Sequence, residues 1–315
     1  MSAPIRIATR RSRLALWQAE HVAARLAGCH RGLVVSLVPI VTEGDRIQDR
    51  SLATAGGKGL FIKELENAIQ GGEADIAVHS MKDVPGLLPD GFTIAAALER
   101  GDPRDAFVCA RHESIAALPR GARVGTSSLR RECQLRHQRP DLEIVALRGN
   151  VDTRLRKLDG GECDAALLAT AGLERLGLEA RIRARLSPDE MLPAIGQGIL
   201  AIEYPAERAE LTALLAPFEQ SGTAAAARAE RAVGLVVEGS CEVPLGAHAR
   251  VTGSHIDLEA FLGLPDGTRL ARARGSGHAT GAEALGRDVG RRLLDDGGRE
   301  ILAQLGVASR AGRAA

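Results

Sequence analysis

The sequence predicts an α/β protein of two similarly designed lobes, followed by a small α+β domain. Short apolar runs that stop in polar clusters alternate with helix-prone segments through most of the chain, as is typical of α/β units. Two short motifs of the first lobe are echoed in the second. The C-terminal part instead holds strand-like segments around the turn Pro265–Gly267 and a closing helix, which indicates antiparallel strands.

The composition is that of a soluble globular protein. The 315 residues suffice for two or three domains, and a hydrophobic content of 45% argues against disorder. Aromatic residues make up only 2%, so aliphatic side chains must form the cores. A net charge of +1 gives no general attraction to nucleic acid or membrane, so any basic site must be local.

The five cysteines are widely scattered and none forms a Cys-x-x-Cys pair. We therefore expect neither a structural metal site nor a disulfide framework. The N-terminal residues lack the apolar core of a signal peptide, and no apolar run reaches the length of a membrane span. A cytoplasmic protein is expected.

The first strand is expected at Arg6–Ala8, followed by a helix that Ser12 caps. Three cations crowd this helix start, where the helix dipole favours anions. They are Arg10, Arg11 and Arg13. This mismatch predicts a bound anion; the alternative is that the three side chains are merely solvated. A second strand is expected over residues 33–41.

Residues 42–58 are polar and contain several glycines, which predicts a mobile loop that could act as a lid. The loop is not a phosphate-binding P-loop, because Lys58 is followed by Gly59 rather than by serine or threonine. A helix is expected over residues 61–70, ended by the glycine pair at 71–72.

The third strand, Ala74–Val78, runs into the polar cluster His79–Pro85. In open α/β sheets, ligands bind just beyond the carboxyl ends of the strands. Lys82 and Asp83 therefore lie where chemistry is expected. The alternative is a solvated turn with a surface ion pair.

After a strand at residues 92–98, a charged Gly/Pro segment at residues 99–104 predicts a domain boundary. Beyond this boundary the sequence repeats the pattern of its first part, although the spacing between the repeated motifs is not that of a strict tandem repeat. Two similar α/β lobes with strand ends facing a shared cleft would explain the echoes, and coincidence between ordinary α/β units is the alternative. Arg123–Arg131 echoes Arg6–Ser12, and Gly161–Leu167 echoes Gly72–Val78.

Arginines follow the predicted strand ends of the second lobe. A strand at 142–147 is followed by the turn Arg148–Asn150 and a helix that carries Arg154, and Thr170–Arg175 follows another strand. Guanidinium groups bind carboxylates or phosphates bidentately, so a small polyanionic ligand is implied. Separate surface charges are the alternative. The cations at strand ends are Arg10, Arg130, Arg131, Arg148 and Arg175.

The C-terminal part has a different pattern. A hinge-like segment at 192–198 and a strand at 199–203 precede a third boundary at Ala216–Pro217. The expected elements after it are a helix at 223–236, strands at 247–251, 255–262 and 268–274, and a helix at 280–296.

Cys241 differs from the other cysteines because it lies in a loop bounded by glycine and proline. Such a thiol could be a nucleophile or an attachment point, whereas most free cysteines are buried small hydrophobes. No histidine partner is evident by spacing, which argues against cysteine-hydrolase chemistry.

Several motifs in the same order resemble those of the porphobilinogen deaminase (hydroxymethylbilane synthase) family nearly end to end. The motifs are Ile7–Arg10 with Ser12, Gly56–Phe61, Ala74–Pro85, Gly125–Arg131, Leu147–Asn150, Ala194–Gly198 and Glu238–Cys241. The resemblance implies two lobes like those of periplasmic binding proteins around a cleft, and a C-terminal α+β domain with a small antiparallel sheet. The implied domains are residues 1–99 with 199–216, residues 104–193, and residues 218–310.

The resemblance also implies an activity and a cofactor. The family joins four porphobilinogen molecules head to tail, with loss of ammonia, onto a dipyrromethane cofactor held by a thioether, here to Cys241. Water then releases the linear tetrapyrrole hydroxymethylbilane. Loss of ammonia leaves a cationic azafulvene, which a carboxylate at Asp83 would stabilise while helping to move protons.

The acetate and propionate groups of the pyrroles would be held by cationic and hydroxyl side chains. These are Arg10, Ser12, Ser80, Lys82, Thr126, Ser127, Ser128, Arg130, Arg131, Arg148, Arg154 and Arg175. Three positions depart from the family pattern: Thr54 stands where lysine is frequent, and Ser240 and Glu242 flank the loop cysteine. The departures imply that a cationic contact from the loop is missing or replaced and that the backbone and charge around the thiol differ from those of the family.

Two other classes of protein share some of these features. A non-catalytic bilobed polyanion-binding protein would share the lobes and the arginines, but it would need neither Cys241 nor a third domain. A nucleic-acid binder is disfavoured by the near-zero net charge and the scarcity of aromatics for base stacking. The expected partner is porphobilinogen with the growing polypyrrole chain, with no nucleic acid and no membrane, and the expected state is a monomer.

Overall fold

The structure is a computed structural model that describes residues 4–46, 62–237 and 243–306. The described residues form two five-stranded mixed sheets and one three-stranded antiparallel sheet, with helices packed against them. The predicted α/β class with a small antiparallel C-terminal sheet is thus confirmed. The chain divides into two compact units, Met1–Gly101 with Ile199–Ala224 and Asp102–Gly198 with Ala225–Ala315.

In chain order, the strands are β1 (Ile5–Arg10), β2 (Val35–Ile40), β3 (Ile76–Ser80), β4 (Phe92–Ala97), β5 (Asp105–Val108), β6 (Arg123–Gly125), β7 (Glu143–Val145), β8 (Ala165–Ala169), β9 (Ala184–Leu186), β10 (Leu200–Pro205), β11 (Leu245–Thr252), β12 (His255–Gly263) and β13 (Leu270–His278). The α-helices are α1 (Arg13–Cys29), α2 (Glu43–Arg46), α3 (Lys63–Gln70), α4 (Leu129–Gln138), α5 (Val151–Asp159), α6 (Thr170–Arg175), α7 (Ala209–Leu215), α8 (Ser221–Val237), α9 (Ala282–Leu293) and α10 (Arg299–Gln304).

The sheet of the first unit has the order β2-β1-β3-β10-β4, in which β1 runs parallel to both β2 and β3. Strand β10 comes from much later in the chain and lies antiparallel between β3 and β4. The central strands are buried because helices cover both faces. On one face Val22 of α1 packs with Ile76, and on the other Leu65 of α3 packs with Ala77.

The sheet of the second unit has the order β7-β6-β8-β5-β9 with the same directions: two parallel pairs around β6, and β5 antiparallel between β8 and β9. Strands β1 and β6 correspond, as do β3 and β8. The two echoed motifs of the sequence lie on these corresponding strands, so the prediction of two lobes of similar design is confirmed.

The echoed motifs form the same contact at the amino ends of these strands. In the first unit the backbone N–H of Arg6 donates to Asp75 Oδ2 over 2.9 Å, and its guanidinium reaches the same carboxylate and the Gly72 carbonyl. In the second unit Arg123 contacts Asp164 and the Gly161 carbonyl in the same way. Both glycines have left-handed φ, +72° and +77°, where a side chain would be strained.

The C-terminal sheet has the order β11-β12-β13, with one face covered by α8 and α9. Small residues let these two helices approach closely: a Cβ on Gly286 would lie 2.2 Å from the carbonyl oxygen of Ala229. The turn at Gly267 packs on α4 of the same unit, where His137 Nδ1 lies 3.0 Å from the Gly267 carbonyl oxygen.

Several predicted boundaries were wrong. The closing helix ends at Leu293, and a π-helical segment at 294–298 kinks at Gly297 before α10 begins. Within the predicted loop after β2, residues 43–46 form the short helix α2, while residues 47–58 of that loop lie outside the described residues. Strands β5 and β9 were not predicted from the sequence.

Candidate active site

Asp83 lies in a single 3-10 turn, Met81–Asp83, directly after β3. The Met81 side chain is 1% exposed, and its backbone N–H donates to the Ile199 carbonyl over 2.9 Å. The N–H of Val84 closes the turn on the Met81 carbonyl over 3.0 Å. Burial of Met81 leaves Lys82 and Asp83 half-buried at the carboxyl edge of the sheet, where α/β proteins place ligands.

The structure brings five of the predicted residues of the first unit to this edge. Since Ala8 pairs with Ala77 in the parallel register, the ends of β1 and β3 lie side by side. Ser12 is the N-cap of α1, as predicted, and its hydroxyl accepts from the Ala15 N–H over 3.3 Å. The Ser80 hydroxyl accepts from Gln18 Nε2 over 2.8 Å. The five residues are Arg10, Ser12, Ser80, Lys82 and Asp83.

The matching edge of the second unit carries hydroxyl groups at a helix start. Thr126 is buried directly after β6, and its hydroxyl accepts from the Ser128 N–H over 3.2 Å. Ser128 precedes α4 as its N-cap residue without a side-chain cap bond, and Ser127 is exposed. Hydroxyl groups beside the N–H groups of a helix start can donate to an anion.

Arg130 and Arg131 begin the same helix, and both are buried against Asp105 of β5. Arg131 donates to Asp105 Oδ1 through Nη2 over 2.7 Å, and Arg130 Nη2 lies 2.7 Å from Oδ2. Burial alone would raise the pKa of Asp105, but the two guanidinium groups hold it at about 2. Gln197 Nε2 donates to the same carboxylate over 3.0 Å. The two arginines therefore brace the sheet, and their role toward a ligand stays a prediction.

The remaining arginines lie in the loop and helices that follow other strands of this unit. Arg148 is half-buried beyond β7, and Arg154 Nε donates to the Gly149 carbonyl over 2.7 Å. Arg175 at the end of α6 donates to the Gly198 carbonyl over 2.7 Å. Burial lowers the pKa of Arg175 to about 10, with Glu174 opposing the change, so its guanidinium remains protonated at neutral pH.

Cys241 lies outside the described residues, as do Thr54, Ser240 and Glu242. Among the residues that are described, no group of three or more metal-type side chains comes together. None of the described helices combines the length and apolarity of a membrane span.

Sequence reasoning missed several polar residues that hold the edges of the two sheets in place. They are Gln18, which contacts Ser80; Asp105, which contacts Arg130 and Arg131; Gln197, which contacts Asp105; and Glu203, which contacts His79. A signal existed for two of them: Asp105 and Glu203 are each the charged residue of an otherwise apolar strand.

Comparison with known proteins assigns both parts of the chain. Residues 5–213 match the family model "Porphobilinogen deaminase, dipyromethane cofactor binding domain", and residues 224–295 match "Porphobilinogen deaminase, C-terminal domain". The porphobilinogen deaminase of Chromobacterium violaceum is 54% identical over 94% of this chain and 96% of its own, and that of Laribacter hongkongensis is 52% identical over the same shares. A solved nutrient-binding protein from Burkholderia cenocepacia aligns with a TM-score of 0.42 at 16% identity, over 67% of this chain and 89% of its own.

Proposed function

The chain belongs to the porphobilinogen deaminase family, and we propose that Asp83 is the carboxylate that serves its reacting centre. The protein is a transferase, a hydroxymethylbilane synthase. It condenses four porphobilinogens head to tail onto a dipyrromethane cofactor with loss of ammonia, and hydrolysis releases the linear tetrapyrrole. The observation that carries the proposal is the place of Asp83, half-buried in the turn that closes β3.

A carboxylate in this position has two uses in the reaction. When ammonia leaves porphobilinogen, positive charge develops on the substrate. A fixed carboxylate stabilises that charge while it accepts hydrogen bonds from the pyrrole N–H groups. The same carboxylate can hold a proton on its way to the leaving amine or from the new ring. The turn supports both uses because buried Met81 fixes the backbone on which Asp83 is carried.

The donor chemistry of the strand ends fits a dipyrromethane. That cofactor supplies the nucleophilic pyrrole carbon to which substrate is joined, and it bears several carboxylates. In the first unit Arg10, Ser12, Ser80 and Lys82 would hold such carboxylates. In the second unit the corresponding donors would be Thr126, Ser127, Ser128, Arg130, Arg131, Arg148, Arg154 and Arg175. Bidentate guanidinium groups and hydroxyls at helix starts are suited to carboxylates.

The covalent anchor would be Cys241, through a thioether. The denatured intact masses of the wild-type protein and of Cys241→Ala test this directly. We expect a wild-type excess equal to one dipyrromethane that is absent from the variant. If the wild type is unmodified and stays so after incubation with porphobilinogen, or if the variant keeps the excess, the assignment of Cys241 is wrong.

The denatured intact mass also serves as a control when the role of Asp83 is tested. We expect Asp83→Asn to lower kcat by about 10²–10³-fold, the usual cost of losing a fixed group that stabilises developing charge. Its Tm and its dipyrromethane mass should be retained. Asp90→Asn, which changes an exposed carboxylate seven residues further along the chain, should leave kcat unchanged. Near-normal turnover by Asp83→Asn would overturn the proposal.

The proposal extends to a cytoplasmic monomer that binds neither nucleic acid nor membrane. Its domains would be residues 1–99 with 199–216, residues 104–193, and residues 218–310. The net charge of +1 and the scarcity of aromatic residues support the absence of a nucleic-acid partner. A sedimentation mass near 33.1 kDa is expected, and a mass near twice that value would contradict the monomer.

A further inference from the structure

A buried polar contact joins β3, the strand that leads into the Asp83 turn, to its neighbour β10. Glu203 of β10 is fully buried, and its Oε2 lies 2.9 Å from Nε2 of His79, which is itself 6% exposed near the end of β3. The contact between Glu203 and His79 thus links two adjacent strands of the first unit.

This contact and a second one hold the end of β3 from opposite faces. Successive side chains of a strand point to opposite sides of the sheet. His79 lies on the α3 face, where Glu203 holds it, and Ser80 lies on the α1 face, where Gln18 holds it. The next residue, Met81, is tied through its backbone to Ile199. The turn that presents Asp83 therefore begins from a strand end fixed on both faces.

We propose that Glu203 and His79 are positioning residues of the transferase: their buried contact fixes the end of β3 and so the place of the Asp83 carboxylate. The proposal rests on the function proposed above for Asp83. It requires a pair rather than a single group, because a buried carboxylate needs a partner that donates to it. Removal of either member leaves the other without its partner and frees the α3 face of the strand.

Burial, together with the charge of Glu203, raises the pKa of Glu66 in α3 to about 7, against the opposing effect of Lys63 on the same helix. A protonated Glu66 avoids a second negative charge near the buried Glu203.

The test is Glu203→Gln, which keeps the shape of the side chain. We expect kcat to fall about 10-fold or more while KM stays within about threefold, because the substrate-binding cations are untouched. The imidazole nitrogen-15 resonances of His79, assigned by comparison with His79→Gln, should shift in Glu203→Gln. The matched control is Asp75→Asn, at the opposite end of β3, which breaks the ion pairs with Arg6 and Arg208. It should lower stability and leave kcat unchanged.

A double variant separates positioning from mere structural support. If Glu203 acts through Asp83, adding Glu203→Gln to Asp83→Asn should cause little further loss of kcat, because the two changes remove one effect. If the fold losses of kcat of the two single variants multiply in the double variant, the inference is overturned. It is also overturned if Glu203→Gln lowers Tm but keeps kcat within twofold of the wild type. If Asp83→Asn itself is active, the proposed function fails. If it is inactive while Glu203→Gln is active, only the positioning role fails.

Discussion

The two five-stranded sheets share strand order and directions, but the buried carboxylate of each has a different partner. In the first unit Glu203 of β10 holds His79, and in the second Asp105 of the corresponding strand β5 holds Arg130 and Arg131. The same scaffold thus supports the strand end that leads to Asp83 in one unit and a helix start that carries two buried arginines in the other. The two sheet edges differ through a few buried polar residues rather than through topology.

The opposite edges of the two sheets, at the amino ends of their parallel strands, are instead alike. There the contacts are nearly identical, with Arg6 on Asp75 in one unit and Arg123 on Asp164 in the other. Ligands bind at the carboxyl ends of strands, so the amino ends are left to stability. The resemblance between the units is therefore strongest where chemistry is not needed.

The largest expected effect is on the second unit. Asp105→Asn would leave Arg130 and Arg131 buried without their counter-charge, and the expected loss is about 3–5 kcal/mol of unfolding free energy. Urea denaturation of the variant beside the wild type measures it. A loss below about 1 kcal/mol would mean that the two arginines do not depend on this carboxylate, and the contrast between the sheets would fail.

A second prediction is that one carboxyl group in each unit makes stability depend on pH, and that the two dependences have opposite signs. The pKa of Asp105 is about 2 in the folded state and ~3.9 when unfolded, so its ionisation contributes about 2–3 kcal/mol to the unfolding free energy above pH ~4. That contribution is lost as the pH falls toward 2. The pKa of Glu66 is instead raised to about 7, so its contribution is present in acid and is lost as the pH rises from ~4.3 to 7.

Unfolding free energies of the wild type, Asp105→Asn and Glu66→Gln between pH 2 and 8 test this opposition. Asp105→Asn should lose its disadvantage in acid, whereas Glu66→Gln should flatten the decline toward neutral pH. Parallel pH curves for all three proteins would show that neither carboxyl group has the environment described.

The smallest expected effect compares the two amino edges. Asp75 is 9% exposed and contacts Arg6 and Arg208, so Asp75→Asn should cost about 1–3 kcal/mol. Asp164 is 24% exposed, and its partner Arg111 is 71% exposed, so Asp164→Asn should cost about 0.5–1 kcal/mol. Thermal unfolding of both variants at low and high salt shows which variant loses more stability. A larger loss of stability in Asp164→Asn would contradict the prediction.

Local signals in the sequence determined much of this protein. Apolar runs predicted the strands that contain Ile7, Ile76 and Ile202, and Ser12 predicted the start of α1. The motif echoes predicted two similar lobes, and the polar end of β3 marked Asp83. These features depend on neighbouring residues, because side-chain periodicity and capping act over a few positions.

Only the tertiary structure decided which distant residues meet. Glu203 contacts His79 across 124 positions because β10 enters the first sheet between β3 and β4. Asp105 begins a strand too short to predict and meets Arg131 because β5 lies beside β8. No local pattern encodes such a pairing, since the register of strands joined by long connections is set by the packing of the whole sheet.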